Sequence, residues 1–316
     1  MGQGTVLIIS ANHELRSFAM PNIELSDLDV AYDDAGPRNG PAVLLLHGWP
    51  DDRASWSDVA SALNDAGLRT ITPSLRGFGA TRFTSATALR TGNSGMLALD
   101  AIALMDALGI ERFSVAGHDW GSNAAEALAV GWPMRVERLA MLGTPSRLGG
   151  MPTPSFEQTQ RQWYHWFMAT ERGAQAVRND PKGFAHIHWV NWSPPGWFEE
   201  GIFERTARAW ENPDWVDVTL HSYRARWDEA EPDPKSRWLE DKIKATKTLS
   251  LPILYFQGEK DGINPPSAST SVSTKFAGPF ELVSLAGVGH FTQREAPQEV
   301  ASTPRSTSAC WQVTRL

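Results

Sequence analysis

Residues 113–122 constrain the fold of this chain more than any other stretch, and they run Phe-Ser-Val-Ala-Gly-His-Asp-Trp-Gly-Ser. A short apolar run ends in small residues, and an Ala-rich run begins directly after it. This pattern predicts a buried strand, a sharp turn and a helix. Gly117 and Gly121 allow the chain to reverse tightly, and the turn raises the side chain of Asp119 above the end of the strand. We therefore expect a carboxylate at the tip of a strand-to-helix reversal.

The carboxylate of Asp119 restricts the chemistry open to this turn. A hydroxyl must lose a proton before it attacks, whereas an aspartate side chain is ordinarily ionised at neutral pH. Attack on a carboxylic ester would form an anhydride that collapses back. Displacement at a strained or activated carbon instead leaves an alkyl ester, so the turn favours epoxides or alkyl halides as substrates. The alternative is that Asp119 only caps the following helix, a common role for Asp.

The rest of the chain alternates between strand and helix patterns, which indicates an α/β fold with a doubly wound, mostly parallel sheet. Continuous apolar runs are typical of parallel strands that are buried on both faces. We predict edge strands within 23–34, further strands at 42–46, 69–73, 136–142, 251–256 and 280–285, and helices at 55–66 and 96–108.

This alternation stops in the middle of the chain. Residues 147–247 have helical patterns, are rich in Trp and contain Pro-Pro-Gly and Asn-Pro-Asp turns. We therefore expect a helical cap inserted into a core formed by 21–146 and 248–300. Residues 1–20 resemble a loose N-terminal extension. Residues 301–316 are expected to be an irregular C-terminal tail, because Ser, Thr and Pro stand where a closing helix is expected.

Composition excludes several classes of partner. The 316 residues carry a net charge of −7 and no cluster of Lys and Arg, so nucleic acid and anionic membrane are poor candidates. No stretch resembles a signal peptide or a membrane span. The single Cys310 excludes an internal disulfide or a cysteine-based metal site and fits a reducing compartment, so we expect a cytoplasmic protein.

An alkyl ester on Asp119 must be cleaved by water, which requires a base, an acid that orients it, and donors for the developing oxyanion. His290 follows the last predicted strand and is the candidate base. Asp261 follows the preceding strand and is the candidate acid, with Glu259 as a weaker rival. The backbone N–H groups of Trp49 and Trp120 are the candidate oxyanion donors.

These motifs together resemble the epoxide hydrolases of the α/β-hydrolase fold. The resemblance rests on His-Gly-Trp-Pro at 47–50, Gly-His-Asp-Trp-Gly at 117–121, Asp261 and Gly-His-Phe at 289–291, which follow the family's order. It implies a small hydrophobic epoxide as substrate, a vicinal diol as product, and neither cofactor nor metal. A homodimer is a possible assembly.

The resemblance also implies two cap tyrosines that donate hydrogen bonds to the epoxide oxygen. Tyr223 matches the second of these well. Tyr164 is the candidate for the first, although a shift of one residue would place Trp163 there instead and leave Tyr223 and His165 as donors. Aromatic packing in a Trp-rich cap is the alternative role for both tyrosines. The residues expected to line the substrate pocket are His47, Pro50, Trp163, His165 and Trp166, with His47 also expected to hold its loop.

Three other functions stay open at this point. Haloalkane dehalogenases resemble the chain at Trp120, whose indole N–H could bind halide, but they often carry Asn where Trp49 stands. Fluoroacetate-type dehalogenases share a cap His-Trp pair, but they carry Arg after the nucleophile, where this chain has Trp120. A small-molecule receptor on the same fold is the third, and it would be expected to lack one of Asp119, Asp261 and His290.

Overall fold

The computed structural model describes residues 21–269 and 272–302. The predicted N-terminal extension and residues 303–316 of the predicted tail lie outside the described residues. Just before them, a short helix, Pro297–Ala301, ends and is followed by Ser302 in an extended conformation.

The described residues form one nine-stranded sheet with the order β1-β2-β4-β3-β6-β7-β8-β9, and β5 pairs with β2. The strands are β1 Asn22–Glu24, β2 Leu28–Ala35, β3 Ala42–Leu46, β4 Arg69–Pro73, β5 Arg82–Phe83, β6 Phe113–His118, β7 Val136–Leu142, β8 Ile253–Gly258 and β9 Phe280–Leu285. The six strands from β4 to β9 along this order pair in parallel, while β1, β2 and β5 pair antiparallel at one edge.

Helices cover the sheet and fill the segment between β7 and β8. The α-helices are α1 Ser57–Asp65, α2 Ser94–Ala107, α3 Trp120–Gly131, α4 Phe156–Arg161, α5 Trp163–Ala169, α6 Glu171–Asn179, α7 Pro181–Asn191, α8 Glu200–Ala207, α9 Trp215–Arg226, α10 Arg237–Ala245, α11 Pro266–Ser269, α12 Thr292–Glu295 and α13 Pro297–Ala301. Short 3₁₀ helices occupy Arg53–Trp56, Arg208–Glu211 and Val272–Lys275.

Strand β3 shows why its sequence is apolar throughout. Leu44 and Leu46 pack in one hydrophobic cluster with residues of α2 and α3, whereas Val43 and Leu45 pack in a second cluster with residues of α1 and α13. Because successive side chains of a strand point to opposite faces, both faces of β3 are buried. The sheet is therefore covered by helices on both sides, as predicted for a doubly wound fold.

The segment between β7 and β8, which is described throughout, contains helices α4–α10 and no strand of the sheet. We call these helices the helical insertion; treating them as a separate cap domain stays a prediction. The insertion is rich in buried aromatic residues, among them Trp189, Trp215 and Tyr223. In the part of the chain that the structure describes, no helix is both long enough and apolar enough to cross a membrane.

Candidate active site

Asp119 stands between β6 and α3 with φ at +50°, a left-handed conformation that residues with a side chain rarely adopt. Two glycines make this sharp turn possible, because they let neighbouring backbone segments approach where a Cβ atom would collide. A Cβ built on Gly121 would lie 2.1 Å from the carbonyl oxygen of Leu46, and one on Gly117 would lie 2.0 Å from the carbonyl oxygen of Gly121. The strained turn raises the Asp119 side chain at the carboxyl end of the strand, as the sequence predicts.

The carboxylate of Asp119 does not cap its helix, because it accepts no hydrogen bond from the first turn of α3. Instead its Oδ1 accepts from the backbone N–H of Trp49 at 3.0 Å. The chain after β3 lies so close that a Cβ on Gly48 would stand 2.6 Å from the Cβ of Asp119. Trp120 follows as the first residue of α3, where a backbone N–H has no partner inside the helix. Both candidate oxyanion donors therefore flank the carboxylate.

His290 links Asp119 to Asp261. Its Nδ1–H donates to Asp261 Oδ2 at 3.0 Å, and its Nε2 lies 3.9 Å from Asp119 Oδ2, too far for a direct hydrogen bond. Asp261 Oδ1 accepts two backbone hydrogen bonds, each 2.8 Å long, from the turn that follows it. Glu259, the rival acid, is exposed and instead accepts from Ser284 at 2.9 Å. The three predicted residues thus form a contiguous chain that ends at the carboxylate.

The pKa of His290 reflects two opposing effects. Complete burial acts to lower it, but the charge of Asp261, the hydrogen bond to Asp261 and the charge of Asp119 together raise it above its ordinary value. In the neighbouring His118, burial and the charge of His290 outweigh the raising effect of Asp119, and the pKa falls to about 3. The two carboxylates therefore favour a proton on His290 in the resting protein.

The loop that carries His290 is anchored from the helical insertion. The hydroxyl of Ser193 accepts from the backbone N–H of His290 at 2.8 Å and donates to Glu295 Oε1 at 2.6 Å. Glu295 also accepts from the N–H groups of Gly289 and Phe291, at 2.7 and 3.1 Å. These bonds fix the backbone of the loop and thereby the position of the imidazole.

The ring of Tyr223 contacts both Tyr164 and Trp120, the residue that follows Asp119. The two tyrosine rings lie 5.3 Å apart in an edge-to-face arrangement, and both are buried. Burial raises the pKa of each phenol well above its ordinary value, and the charge of Asp119 raises both further. Trp163, the alternative occupant of the first cap position, is 42% exposed, and its ring stacks on His188. The structure brings Tyr164, and not Trp163, against Tyr223.

The predicted pocket residues of the His-Gly-Trp-Pro segment are buried and hold the loop. His47 accepts the N–H of Leu75 at Nε2, at 3.1 Å, and its Nδ1 donates to Gly48 at 2.9 Å. Pro50 accepts the indole N–H of Trp189 at 2.7 Å through its carbonyl. Both roles are structural contacts, and a role in binding substrate stays a prediction for His47 and Pro50.

The two remaining pocket candidates differ in position. His165 is buried with its ring centroid 4.6 Å from that of Tyr223, and its Nδ1 accepts the indole N–H of Trp227 at 3.1 Å. Trp166 lines a cavity of about 690 Å³ beside α9 and α10. Ser222 and Arg226, which flank Tyr223 along α9, also line this cavity, but Asp119 does not. His165 therefore lies at the phenol pair, whereas Trp166 faces a separate space.

Comparison with known proteins identifies the family to which the chain belongs. Residues 41–297 match the profile of the alpha/beta hydrolase fold. The chain belongs to this family. It is 25% identical over 293 residues to epoxide hydrolase A of Mycobacterium tuberculosis, covering 85% of this chain and 90% of that one. A candidate epoxide hydrolase from Klebsiella pneumoniae has a crystal structure similar to this chain, with a TM-score of 0.85, 36% identity and coverage of 89% and 94%.

A third relative of this α/β-hydrolase is a fluoroacetate dehalogenase from Burkholderia, 28% identical over 208 residues and covering 62% of this chain and 66% of that one.

Among residues 21–269 and 272–302, no group of three or more His, Cys, Asp and Glu side chains is arranged to hold a metal ion.

Sequence reasoning missed several residues of this α/β-hydrolase's site. Trp192 packs edge-on against the ring of His290, with centroids 4.9 Å apart, and Ser193 anchors the His290 backbone. Thr219 accepts the indole N–H of Trp49 at 3.1 Å. His188 contacts both Trp49 and Tyr164. All four lie in the helical insertion, where aromatic residues are so frequent that no single one stands out in the sequence.

Proposed function

We propose that the protein is an epoxide hydrolase that converts small hydrophobic epoxides to vicinal diols through an ester on Asp119. The observation that carries the proposal is a carboxylate that has an imidazole nitrogen 3.9 Å away and two buried phenols near enough for its charge to raise their pKa values. The named relatives support it, because epoxide hydrolase A of Mycobacterium tuberculosis shares most of the chain's length. A cytoplasmic location, and a homodimer, belong to the same proposal.

In the first half-reaction, Asp119 Oδ2 attacks one carbon of the oxirane and the bond from that carbon to oxygen breaks. Oδ2 is the free oxygen, since Oδ1 is held by the N–H of Trp49. The pair of electrons from the broken bond stays on the oxirane oxygen, which Tyr164 and Tyr223 stabilise by hydrogen bonds and proton donation. Burial keeps both phenols protonated, so they are able to donate.

In the second half-reaction, His290 Nε2 removes a proton from water, and the water oxygen attacks the ester carbonyl of Asp119. Asp261 orients the imidazole and stabilises the imidazolium that forms. The charge that develops on Oδ1 is stabilised by the N–H of Trp49, with that of Trp120 beside it. Collapse of this intermediate breaks the bond from the carboxyl carbon to Oδ2, and His290 gives its proton to the departing alkoxide, which leaves as the diol. The second proton of the water passes from the new carboxyl group to the phenolate, so that the Asp119 carboxylate and the tyrosine are both regenerated.

An alkyl halide is a less favourable substrate for this site. Halide release requires hydrogen-bond donors for a leaving anion and no acid. The indole N–H of Trp49 already donates to Thr219 at 3.1 Å, so it is not available as a partner for the Trp120 indole. The paired phenols of Tyr164 and Tyr223 would serve no purpose for halide, whereas they suit an oxygen that must be protonated. The residue after Asp119 is Trp120, which disfavours a carboxylate substrate such as fluoroacetate.

The decisive experiment traps the ester. His290→Ala and His290→Gln remove the base, so either variant exposed to styrene oxide should gain the mass of one epoxide molecule in intact-protein mass spectrometry. Asp119→Asn in the same background should remove the adduct. If the wild type forms diol but neither variant retains an adduct, the covalent route is wrong. Bromide release from bromobutane without diol formation from styrene oxide would instead support a dehalogenase.

A further inference from the structure

His188 is a buried histidine that the mechanism above does not use. It lies in α7 of the helical insertion and is only 1% exposed. Its ring makes edge-on contacts with Trp49, Tyr164 and Trp192, at centroid distances of 4.9, 4.7 and 4.8 Å. Phe184 packs at 4.8 Å on the same ring. The imidazole is therefore one wall of an aromatic enclosure.

A carbonyl group of the same helix determines which nitrogen of this imidazole carries the hydrogen. Nδ1 lies 2.7 Å from the carbonyl oxygen of Phe184, which can only accept, so Nδ1 carries the hydrogen. Burial lowers the pKa of His188 to about 3, so the ring is neutral at ordinary pH. Nε2 is then a bare acceptor, and among the described residues it is buried without any hydrogen-bond partner.

The neighbours of His188 are the groups that contact the reacting centre. The backbone of Trp49 holds Asp119, the ring of Trp192 packs on His290, and Tyr164 is one of the paired phenols. An acceptor left unpaired in such a place has lost its hydration without gaining a hydrogen bond in the protein, which is unfavourable. The neighbours do not relieve this cost, because Nε2 has no hydrogen-bond partner among the described residues. Phe184 offers no polar side-chain atom, and the indole N–H of Trp49 already donates to Thr219.

We propose that His188 Nε2 accepts a hydrogen bond from a substrate hydroxyl next to the oxirane, and that the enzyme therefore prefers epoxy alcohols. This inference rests on the proposed function. The oxirane oxygen can only accept, which suits the phenols of Tyr164 and Tyr223. The proton of an adjacent hydroxyl needs an acceptor, and His188, whose ring contacts that of Tyr164, has one without a partner among the described residues.

Phenylglycidol and β-methylstyrene oxide test the inference, because they differ only in that hydroxyl. The wild type should show a higher kcat/KM for phenylglycidol. His188→Phe keeps an aromatic ring but removes the acceptor, and it should reduce the ratio of the two kcat/KM values about tenfold. His188→Gln restores an acceptor near the same place and should recover part of the ratio. His186→Phe, the same change at a half-buried position of α7, should leave it unchanged.

Equal loss of kcat/KM for both epoxides in His188→Phe would overturn the inference and make His188 a packing residue. Binding of the products gives a readout that does not need turnover. Phenylglycerol should quench tryptophan fluorescence at a lower concentration than the phenylpropanediol, and His188→Phe should abolish that difference. If the wild type hydrolyses neither epoxide, the proposed function fails, and equal binding of the two products would also reject the hydroxyl site.

Discussion

At Asp119 the two oxygens of one carboxylate have different surroundings. Oδ1 accepts the N–H of Trp49, while Oδ2 faces His290 Nε2 at 3.9 Å. Formation of the ester removes the charge of Asp119, which is one of the charges that raise the pKa of His290. The pKa of the imidazole should therefore fall when the substrate is attached. In the proposed mechanism, the first half-reaction thus prepares His290 to act as the neutral base that the second one needs.

Replacing Asp261 should change both the rate and the pH profile. Asp261→Asn removes the charge that contributes most to raising the pKa of His290, so that pKa should fall. Ester hydrolysis requires neutral His290 and declines as pH falls through this pKa, so the acid limb should move to lower pH. The rate should drop about 10²- to 10⁴-fold, because the imidazole loses its orientation. Single-turnover ester hydrolysis in the wild type and in Asp261→Asn, followed across pH, measures both effects.

Glu259→Gln is the matched control for this change, since Glu259 is exposed and bonded to Ser284. It should leave the rate and the acid limb as they are. An acid limb that shifts in Glu259→Gln and not in Asp261→Asn would reverse the assignment of the orienting acid.

The phenols should affect the other half-reaction. Tyr223→Phe and Tyr164→Phe keep the ring packing but remove a donor to the oxirane oxygen. Each should slow formation of the ester about 10- to 100-fold, as expected for a hydrogen bond to a developing charge. Ester hydrolysis should change little. Stopped-flow tryptophan fluorescence with styrene oxide separates the two rates, and Tyr32→Phe in β2 serves as the control. Loss of hydrolysis with normal ester formation would contradict the assignment.

At the scale of elements, the site lies on loops, and buried ion pairs connect such loops to the helices. Arg76, in the loop after β4, is 2% exposed and bonds both carboxylate oxygens of Asp100 in α2, at 2.6 and 2.7 Å. It also donates to the carbonyl of Thr91 at 3.0 Å. One guanidinium thereby connects two loops and a helix beneath the helical insertion.

Arg76→Ala should lower the free energy of unfolding by about 3–5 kcal/mol, because the carboxylate of Asp100 would be left without its partner. Arg112→Ala removes a similar pair with Glu137, but the Arg112 side chain is 65% exposed, so the cost should stay within about 1 kcal/mol. Guanidinium chloride unfolding followed by tryptophan fluorescence compares the two variants. Equal costs would show that the Arg76 pair contributes no more than a surface pair.

Across the whole molecule, the parts predicted from sequence are those that depend on burial alone. The strands at 42–46, 69–73, 136–142 and 280–285 have the predicted bounds. Residues 42–46 form a continuous apolar run because the strand is covered on both faces, whereas 280–285 is the last strand of the sheet and is only partly buried. The approach of Asp119, Asp261 and His290 to one another was also predictable. Each follows a parallel strand, and the carboxyl ends of parallel strands lie along one edge of the sheet.

Side-chain direction inside the helical insertion was not predictable. Trp163 and Tyr164 are one residue apart, about 100° around α5, and aromatic residues occur on every side of that helix. No polar face distinguishes the buried position from the exposed one. The two-residue strand β5 was missed because so short an element has no periodicity, and His188 because only its contacts distinguish it from any other buried histidine.

Buried histidines also determine part of the molecule's response to acid. His188 is neutral when folded, with a pKa lowered from 6.5 to about 3, so below pH 6.5 the unfolded chain binds a proton that the folded chain does not. The stability that this histidine contributes is present above pH 6.5 and is lost as pH falls. Asp52 acts in the opposite sense, because burial first, and then the charge of Asp51, raises its pKa to about 6. The total pH dependence mixes both signs, so a comparison between variants isolates one group.

His188→Phe removes the titrating group and keeps a ring of similar size. Relative to this variant, the wild type should lose up to about 1.4 kcal/mol of stability for each pH unit below 6.5, until the pH approaches the folded pKa of about 3. Guanidinium chloride unfolding at several pH values measures the difference. His186→Phe, at a half-buried position of the same helix, should give a curve parallel to that of the wild type. Parallel curves for His188→Phe as well would mean that His188 takes up its proton in the folded protein as readily as in the unfolded chain, which a bare nitrogen sealed among Trp49, Tyr164 and Trp192 does not permit.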